Sequence, residues 1–191
     1  MERETRFELA TLCLGSRYSS TELLPLEPDC IRAGRSRRSP CVILAGAVAV
    51  DDCSRVAYVG VCADERGPTA ARFLLEAAMF FDSHGVRIER VLTDRALTYT
   101  RSNHFAEVVA SLPARHLTTR PYRPQTNGKA ERFIQTMLRE WAYSRLYTSN
   151  EERLNRLPRW LQFYNQRRPH TALGGKPPMA VLLNNVRGNY T

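Results

Sequence analysis

The sequence predicts a mixed α/β domain in which helices flank a sheet. Residues 41–50 form a continuous apolar run, which is typical of a strand buried on both faces. Residues 128–147 repeat apolar side chains at helical spacing, which predicts a long helix with one face in the core. The predicted order is a hairpin, then strands alternating with helices, then helices, and this order indicates a layered α/β fold.

The first predicted elements form a hairpin followed by a helix. The strand at residues 41–50 ends at Asp51 and Asp52, and residues 55–62 resume as a second strand after a tight turn. Gly67 and Pro68 then open a helix that we expect to run to about residue 84, with Gly85 as its stop.

The later elements alternate and then become helical. The pattern of residues 88–93 predicts a strand that ends at Asp94. A short helix is expected at residues 103–111 and a brief strand at residues 115–118. Residues 120–127 contain two prolines and are expected to form a loop. The long helix at 128–147 follows, and a further amphipathic helix is expected at about 150–164.

Residues 1–40 show no periodicity that holds long enough to predict an element. They contain a short apolar stretch at 9–14 and a basic run at 32–38, and the character of the sequence changes abruptly at residue 41. We therefore divide the chain into a poorly patterned segment at 1–40, a core at 41–178 and a tail at 179–191.

The positive charge of the chain is concentrated at one end. The formal net charge is +9, yet residues 41–114 carry 7 basic and 9 acidic side chains, whereas residues 115–191 carry 14 and 4. This imbalance favours a polyanionic partner over a small acidic substrate. Five cysteines without a C-x-x-C pair indicate neither a disulfide framework nor a zinc site, and no apolar run is long enough for a membrane span. A cytoplasmic protein is the expectation.

Two carboxylates are candidates for chemistry. Asp94 ends a predicted apolar strand, at the edge where open α/β sheets place their sites. Glu131 lies in the first turn of the long helix, where we expect it to face partly into the protein. Carboxylates that converge from a strand end and a helix suit Mg²⁺ or Mn²⁺. Each residue also has a purely structural explanation, since Asp is common in turns and Glu favours the helix dipole.

Basic, aromatic and amide side chains surround Glu131 in the sequence. Such a mixture suits a nucleic-acid backbone held beside metal-bound carboxylates. The candidate DNA-binding residues are Arg120, Tyr122, Arg123, Gln125, Asn127, Lys129 and Arg132.

Three stretches of the chain carry a family resemblance. They read VLTDRALTY, then TRPYRPQTNGKAERFIQTMLREWAYSRLY, then FYNQRRPHTALGGKPP, and the segment DDCSRVAYV agrees as well. Together they resemble the catalytic core of DDE transposases of the retroviral-integrase superfamily, and more narrowly a bacterial insertion-sequence transposase. The resemblance covers residues 42–178 and makes residues 41–178 an integrase-type catalytic core.

The resemblance implies a ribonuclease-H-like fold and a metal-dependent polynucleotidyl transferase. Such an enzyme cuts DNA at the element ends and then joins a 3′-hydroxyl to target DNA. Asp94 would be the second carboxylate of the catalytic triad and Glu131 the third, with two Mg²⁺ or Mn²⁺ ions as cofactors. The implied partners are DNA and further copies of the chain, with no membrane, in the bacterial cytoplasm.

The chain departs from the family pattern in two places. The family usually follows the second Asp with Asn-Gly, whereas Arg95 and Ala96 stand here, and a cation beside Asp94 could draw it into an ion pair. The family's first Asp belongs to an opening strand, and no Asp in residues 1–40 lies in a strand-like context. Asp51 and Asp52 match a turn instead, with Asp52 expected to cap it.

These departures lead to two expectations and two rival functions. The first strand is expected to be missing or degraded, and residues 1–40 to be an out-of-frame or truncated start without a helix-turn-helix. The rivals to an active transposase are an inactive remnant that only binds DNA or partner chains, and a basic α/β interaction module without metal.

Overall fold

A computed structural model describes residues 6–13, 45–119 and 128–187; for residues 6–13 and residue 45 it describes the backbone alone. Its centre is a five-stranded sheet in the order β3-β2-β1-β4-β5. The strands are β1 (Arg6–Cys13), β2 (Ala45–Asp51), β3 (Ala57–Cys62), β4 (Arg90–Thr93) and β5 (Arg115–Thr118). β1, β2 and β3 pair antiparallel, whereas β4 and β5 run parallel to β1.

The first strand is present, so the prediction that it is missing is wrong. β1 lies at the middle of the sheet, where Glu8 is opposite Val50 of β2 and Leu92 of β4. Hydrogen bonding to strands on both sides stabilises β1 as a strand, although its own sequence shows no strand pattern. The sequence of β1, RFELATLC, contains Glu8 as its one acidic residue and no Asp.

Helices cover both faces of the sheet. They are α1 (Gly67–Asp82), α2 (Leu97–Thr100), α3 (Asn103–Ser111), α4 (Gly128–Met137), α5 (Asn150–Gln166) and α6 (Pro178–Val186), with a 3₁₀ turn at Thr171–Leu173. Among the described residues, no helix is long and apolar enough to cross a membrane.

Successive residues of β2 divide the core into two parts, because side chains alternate across a strand. Ala47 and Ala49 pack with α1, α3 and α6 on one face. Val48 and Val50 pack with α4 and α5 on the other. We call these the α1 face and the α4 face.

The long helix predicted at 128–147 is interrupted. α4 ends at Met137 and a π-helical turn, Leu138–Ala142, continues it. This wider turn buries Trp141, whose indole N–H donates to the backbone oxygen of Arg153 at 3.0 Å. The hydrogen bond of the buried indole favours the wider turn over the regular α-helical spacing on which the prediction was based.

Candidate active site

Asp94 directly follows β4, at the carboxyl edge of the sheet. Its carboxylate Oδ1 accepts the backbone N–H of Ala96 at 2.9 Å, and this bond turns the chain into α2. The side chain is half-buried, and Arg95 beside it is exposed. Within the described residues no ion pair joins Arg95 to Asp94.

A buried polar pair supports the backbone at Asp94. The hydroxyl of Thr93 donates to the Asp94 backbone oxygen at 2.8 Å and lies 2.9 Å from Nε2 of His116 on β5. Burial lowers the pKa of His116, which favours the neutral imidazole at pH 7. The pair therefore fixes the end of β4 without adding a charge beside the carboxylate.

Glu131 lies in the first turn of α4 and is exposed. The expectation that it faces partly into the protein is wrong, because the buried stripe of α4 consists of Ala130, Phe133, Ile134 and Met137 together with Thr136. An exposed carboxylate in the first turn of a helix is open to solvent and to a ligand.

A polar contact joins the start of α4 to the β2–β3 turn. The Lys129 ammonium forms an ion pair with the Asp52 carboxylate and donates to the Asp52 backbone oxygen at 3.1 Å. Arg55, whose φ of 66° is left-handed, donates to the same backbone oxygen at 2.6 Å. Because Glu131 is two residues beyond Lys129, this contact helps to set its position.

Asp51, not Asp52, caps the turn, so that expectation is wrong. Its carboxylate accepts the backbone N–H of Ser54 at 2.8 Å and the Ser54 hydroxyl at 2.5 Å. Asp51 is 1% exposed, and burial raises the pKa of its carboxyl group. β2 ends at Asp51, and the Asp51 side chain extends over the turn that follows to reach Ser54. The Asp52 side chain contacts Lys129 instead.

The predicted DNA-binding residues divide into two groups. Lys129 is held by Asp52, and Arg132 is exposed next to Glu131 on α4. The other members lie outside the described residues, namely Arg120, Tyr122, Arg123, Gln125 and Asn127.

The motif YNQRRPH acts through structural contacts that the sequence does not predict. The Asn165 side chain accepts the backbone N–H of Ala57 at 2.9 Å and donates to the Ala57 oxygen at 2.8 Å. Arg168 forms a bidentate pair with Glu140, with nitrogen–oxygen distances of 2.7 and 2.9 Å. Asn165 thus pairs with an edge strand as a further strand would. The one hint in the sequence is that an amide side chain stands among the apolar positions of a predicted helix, where it needs a polar partner.

His170 and Tyr164 of the same motif pack together. Their ring centroids are 4.9 Å apart in an edge-to-face arrangement, and Tyr164 is buried. His170 Nε2 is buried and has no hydrogen-bond partner within the described part of the chain. Burial, with Arg168 nearby, lowers the pKa of His170.

The described carboxylates do not form a complete metal cage. No group of three or more His, Cys, Asp or Glu side chains that could hold a metal ion occurs in the described ranges. Asp94 and Glu131 offer oxygen ligands from different elements. Oxygen is the ligand type that Mg²⁺ and Mn²⁺ prefer, and Mg²⁺ usually takes one or two protein carboxylates plus waters or phosphates. The donor chemistry therefore fits such an ion.

Comparison with solved structures identifies the fold. A chain of the simian T-cell lymphotropic virus intasome aligns with a TM-score of 0.65 at 21% identity over 92% of this chain, which spans 53% of that longer chain. The BIV integrase catalytic core domain aligns with a TM-score of 0.59 at 19% identity, covering 78% and 91% of the two chains. The HTLV-2 integrase catalytic core domain in complex with magnesium aligns with a TM-score of 0.60 at 17% identity, covering 92% and 93%.

The family comparison agrees with the fold. Residues 113–178, from before β5 through α4 and α5 to the start of α6, match the family model of the integrase core domain. The ribonuclease-H-like sheet predicted from the resemblance is thereby confirmed. Residues 113–178 are similar to the integrase core domain, and the described chain has the fold of the retroviral integrase catalytic cores with which it aligns.

Proposed function

We propose that this chain is the catalytic core of a DNA transposase that transfers polynucleotide strands with the help of divalent metal ions. The observation that carries the proposal is the place of Asp94, at the carboxyl end of a strand that is parallel to the central strand of an integrase-type sheet. Glu131 is on α4, which packs against β1 and β2 of the same sheet. DNA is the proposed substrate at both the element ends and the target.

Asp94 and Glu131 are the proposed ligands of Mg²⁺ or Mn²⁺. When bound, a pair of such ions lowers the pKa of an attacking water or hydroxyl and stabilises the leaving oxygen of a phosphodiester. Asp94 keeps one oxygen on the Ala96 N–H, which orients the carboxylate before a ligand arrives. Glu131 is exposed and can meet a ligand at the sheet edge.

The cationic residues around Glu131 would hold the DNA backbone. Arg132 is exposed beside Glu131 and is suited to a phosphate contact. Lys129 would act from its contact with Asp52, so its first role is to fix the start of α4. We extend the DNA contact to Arg120, Tyr122, Arg123, Gln125 and Asn127 on the basis of the sequence. We also propose that the chain associates with further copies of itself and acts in the bacterial cytoplasm.

One observation favours a second function, an inactive remnant that binds DNA. β1 holds the position of the family's first strand, yet its one acidic residue is Glu8 and it has no Asp. Loss of one member of an interdependent catalytic set usually removes nearly all activity. On this alternative the chain binds DNA or partner chains without cutting.

The test is a nicking assay with supercoiled plasmid and Mn²⁺, run beside a Mn²⁺ titration followed by calorimetry. We expect wild-type protein to nick the plasmid, and D94N and E131Q each to lose both nicking and tight Mn²⁺ binding. The control R87A removes an exposed cation elsewhere and should behave as wild type. Plasmid binding without nicking would support the remnant, and neither binding nor nicking would contradict both proposals.

A further inference from the structure

A groove lies along α5, and neither Asp94 nor Glu131 is among its described lining residues. It has a cavity volume of about 510 Å³ and is bounded by the π-helical turn, residues 143–147 and the second half of α5. Glu131 and Trp141 are ten residues apart in one helical rod, which places the groove about 15 Å along the rod from Glu131. The proposed active site therefore does not use it.

The groove is strongly cationic. Arg145, Arg156, Arg159 and Arg167 line it, and Glu140 is the one acidic residue among its described lining. Glu140 is already bound by Arg168, so it does not neutralise the groove. Charge complementarity thus favours an anionic ligand with several negative groups.

Two of these arginines are available for such a ligand. Arg145 and Arg156 both contact Glu152, the latter at 3.7 Å. Arg159 and Arg167 are exposed and form no ion pair with any described residue. Arg159 is on α5 and Arg167 directly follows its last residue. At the helical rise their separation of eight residues is about 12 Å, which exceeds the size of one phosphate and fits a strand with more than one.

Aromatic rings are interleaved with the cations. Phe163 is 46% exposed in the groove, and the Arg145 guanidinium lies 5.0 Å from the centre of the Tyr147 ring. The indole N–H of Trp160, another lining residue, is buried and has no acceptor among the described residues. Positive grooves with stacking platforms are typical of sites for single-stranded nucleic acid, whose unpaired bases stack on the rings.

We propose that this groove binds a single strand of DNA, with phosphates on Arg159 and Arg167 and a base on Phe163. The inference rests on the proposed function for the kind of polymer, but it needs neither metal nor catalysis. It gives the chain a second DNA-contacting surface, on the α5 side of the molecule. An acidic peptide would satisfy the cations but would leave the aromatic platform without a role.

The test measures binding of a short fluorescent oligothymidylate to the full chain in EDTA by anisotropy. R159A/R167A should weaken binding about tenfold or more and reduce the slope of log K against log salt by about 1.4, because two phosphate contacts are lost. F163A should weaken binding about tenfold with the salt slope unchanged. The matched control R87A/R187A removes two exposed arginines elsewhere and should bind as wild type.

Competition identifies the ligand class. We expect oligothymidylate to outcompete oligoglutamate of equal charge, and F163A to remove that preference. Equal binding of oligoglutamate, or wild-type affinity in R159A/R167A, would overturn the proposal. Strand binding in EDTA needs no metal, so wild-type protein that fails to nick plasmid with Mn²⁺ yet binds oligothymidylate would contradict the proposed function alone.

Discussion

Apolar side chains join α1 to the sheet, whereas α4 and α5 add hydrogen bonds and ion pairs to their apolar packing. On the α1 face Glu76 of α1 forms a hydrogen bond with Tyr58 of β3, and the Asn185 amide of α6 donates to the Cys53 sulfur of the β2–β3 turn at 3.4 Å. On the α4 face Lys129 meets Asp52 and Asn165 meets the backbone of Ala57. Hydrophobic attraction has no preferred direction, whereas a hydrogen bond fixes direction as well as distance.

The difference follows the position of the site. Glu131 lies on α4, and a proposed metal ligand must be held within a fraction of an ångström. The motifs around Glu131 and Asn165 thus contain residues that position helices as well as residues that could contact DNA. On the α4 face, which carries Glu131, a few directed polar contacts set the positions of the helices. On the α1 face the positions depend mainly on how well apolar side chains fill the core.

Truncation of the α1 face should give the largest change in stability. Phe81 is completely buried there, so F81A removes an aromatic ring from a packed site. We expect the free energy of unfolding to fall by about 3–5 kcal/mol. Urea denaturation followed by circular dichroism measures the change.

The same substitution at an exposed site is the control for F81A. Phe163 on α5 is 46% exposed, and F163A should lower the free energy of unfolding by less than about 1 kcal/mol. Equal losses in the two variants would contradict the view that the α1 face depends on volume.

Loss of the Asn165 side chain should have the next largest effect. N165A leaves the backbone N–H and oxygen of Ala57 without their partners in a buried place, and we expect a loss of about 2–3 kcal/mol. Amide hydrogen exchange should show faster exchange at Ala57 than at the neighbouring residues of β3.

Gln166 supplies the matched control for this prediction, because it is the next residue of α5 and is exposed. Q166A should change neither the free energy of unfolding nor the exchange of Ala57 measurably. If N165A and Q166A had equal effects, the α4 face would be held by apolar packing as the α1 face is.

Local patterns in the sequence predict most of the fold. The helix at Asn103–Ser111 and the strand at Arg115–Thr118 have the predicted bounds. The helix begins at a Ser102 cap, which is a local signal. β1 was missed because its strand state depends on pairing with β2 and β4, which are distant in the sequence. The π-helical turn was missed for a similar reason, since it depends on where Trp141 is buried.

The candidate site was predictable in its residue types but not in its contacts. The place of Asp94 at a strand end follows from the apolar run before it. That Lys129 meets Asp52 could not be predicted, because 76 residues separate them and the fold alone brings them together. The exposure of Glu131 was misjudged because one position at the border of a helical stripe decides between core and solvent.

The contact between Asp52 and Lys129 should give the smallest energetic effect of the three. Its side chains are 30% and 35% exposed, so water screens the pair. A double-mutant cycle with D52A and K129A should give a coupling of about 0.5–1 kcal/mol, which added salt reduces. The reference pair on the α1 face, Arg72 and Glu76, is more exposed and should couple by about 0.3 kcal/mol. If the reference pair coupled more strongly, the ion pair would not distinguish the α4 face, and that distinction would depend on Asn165 among the described residues.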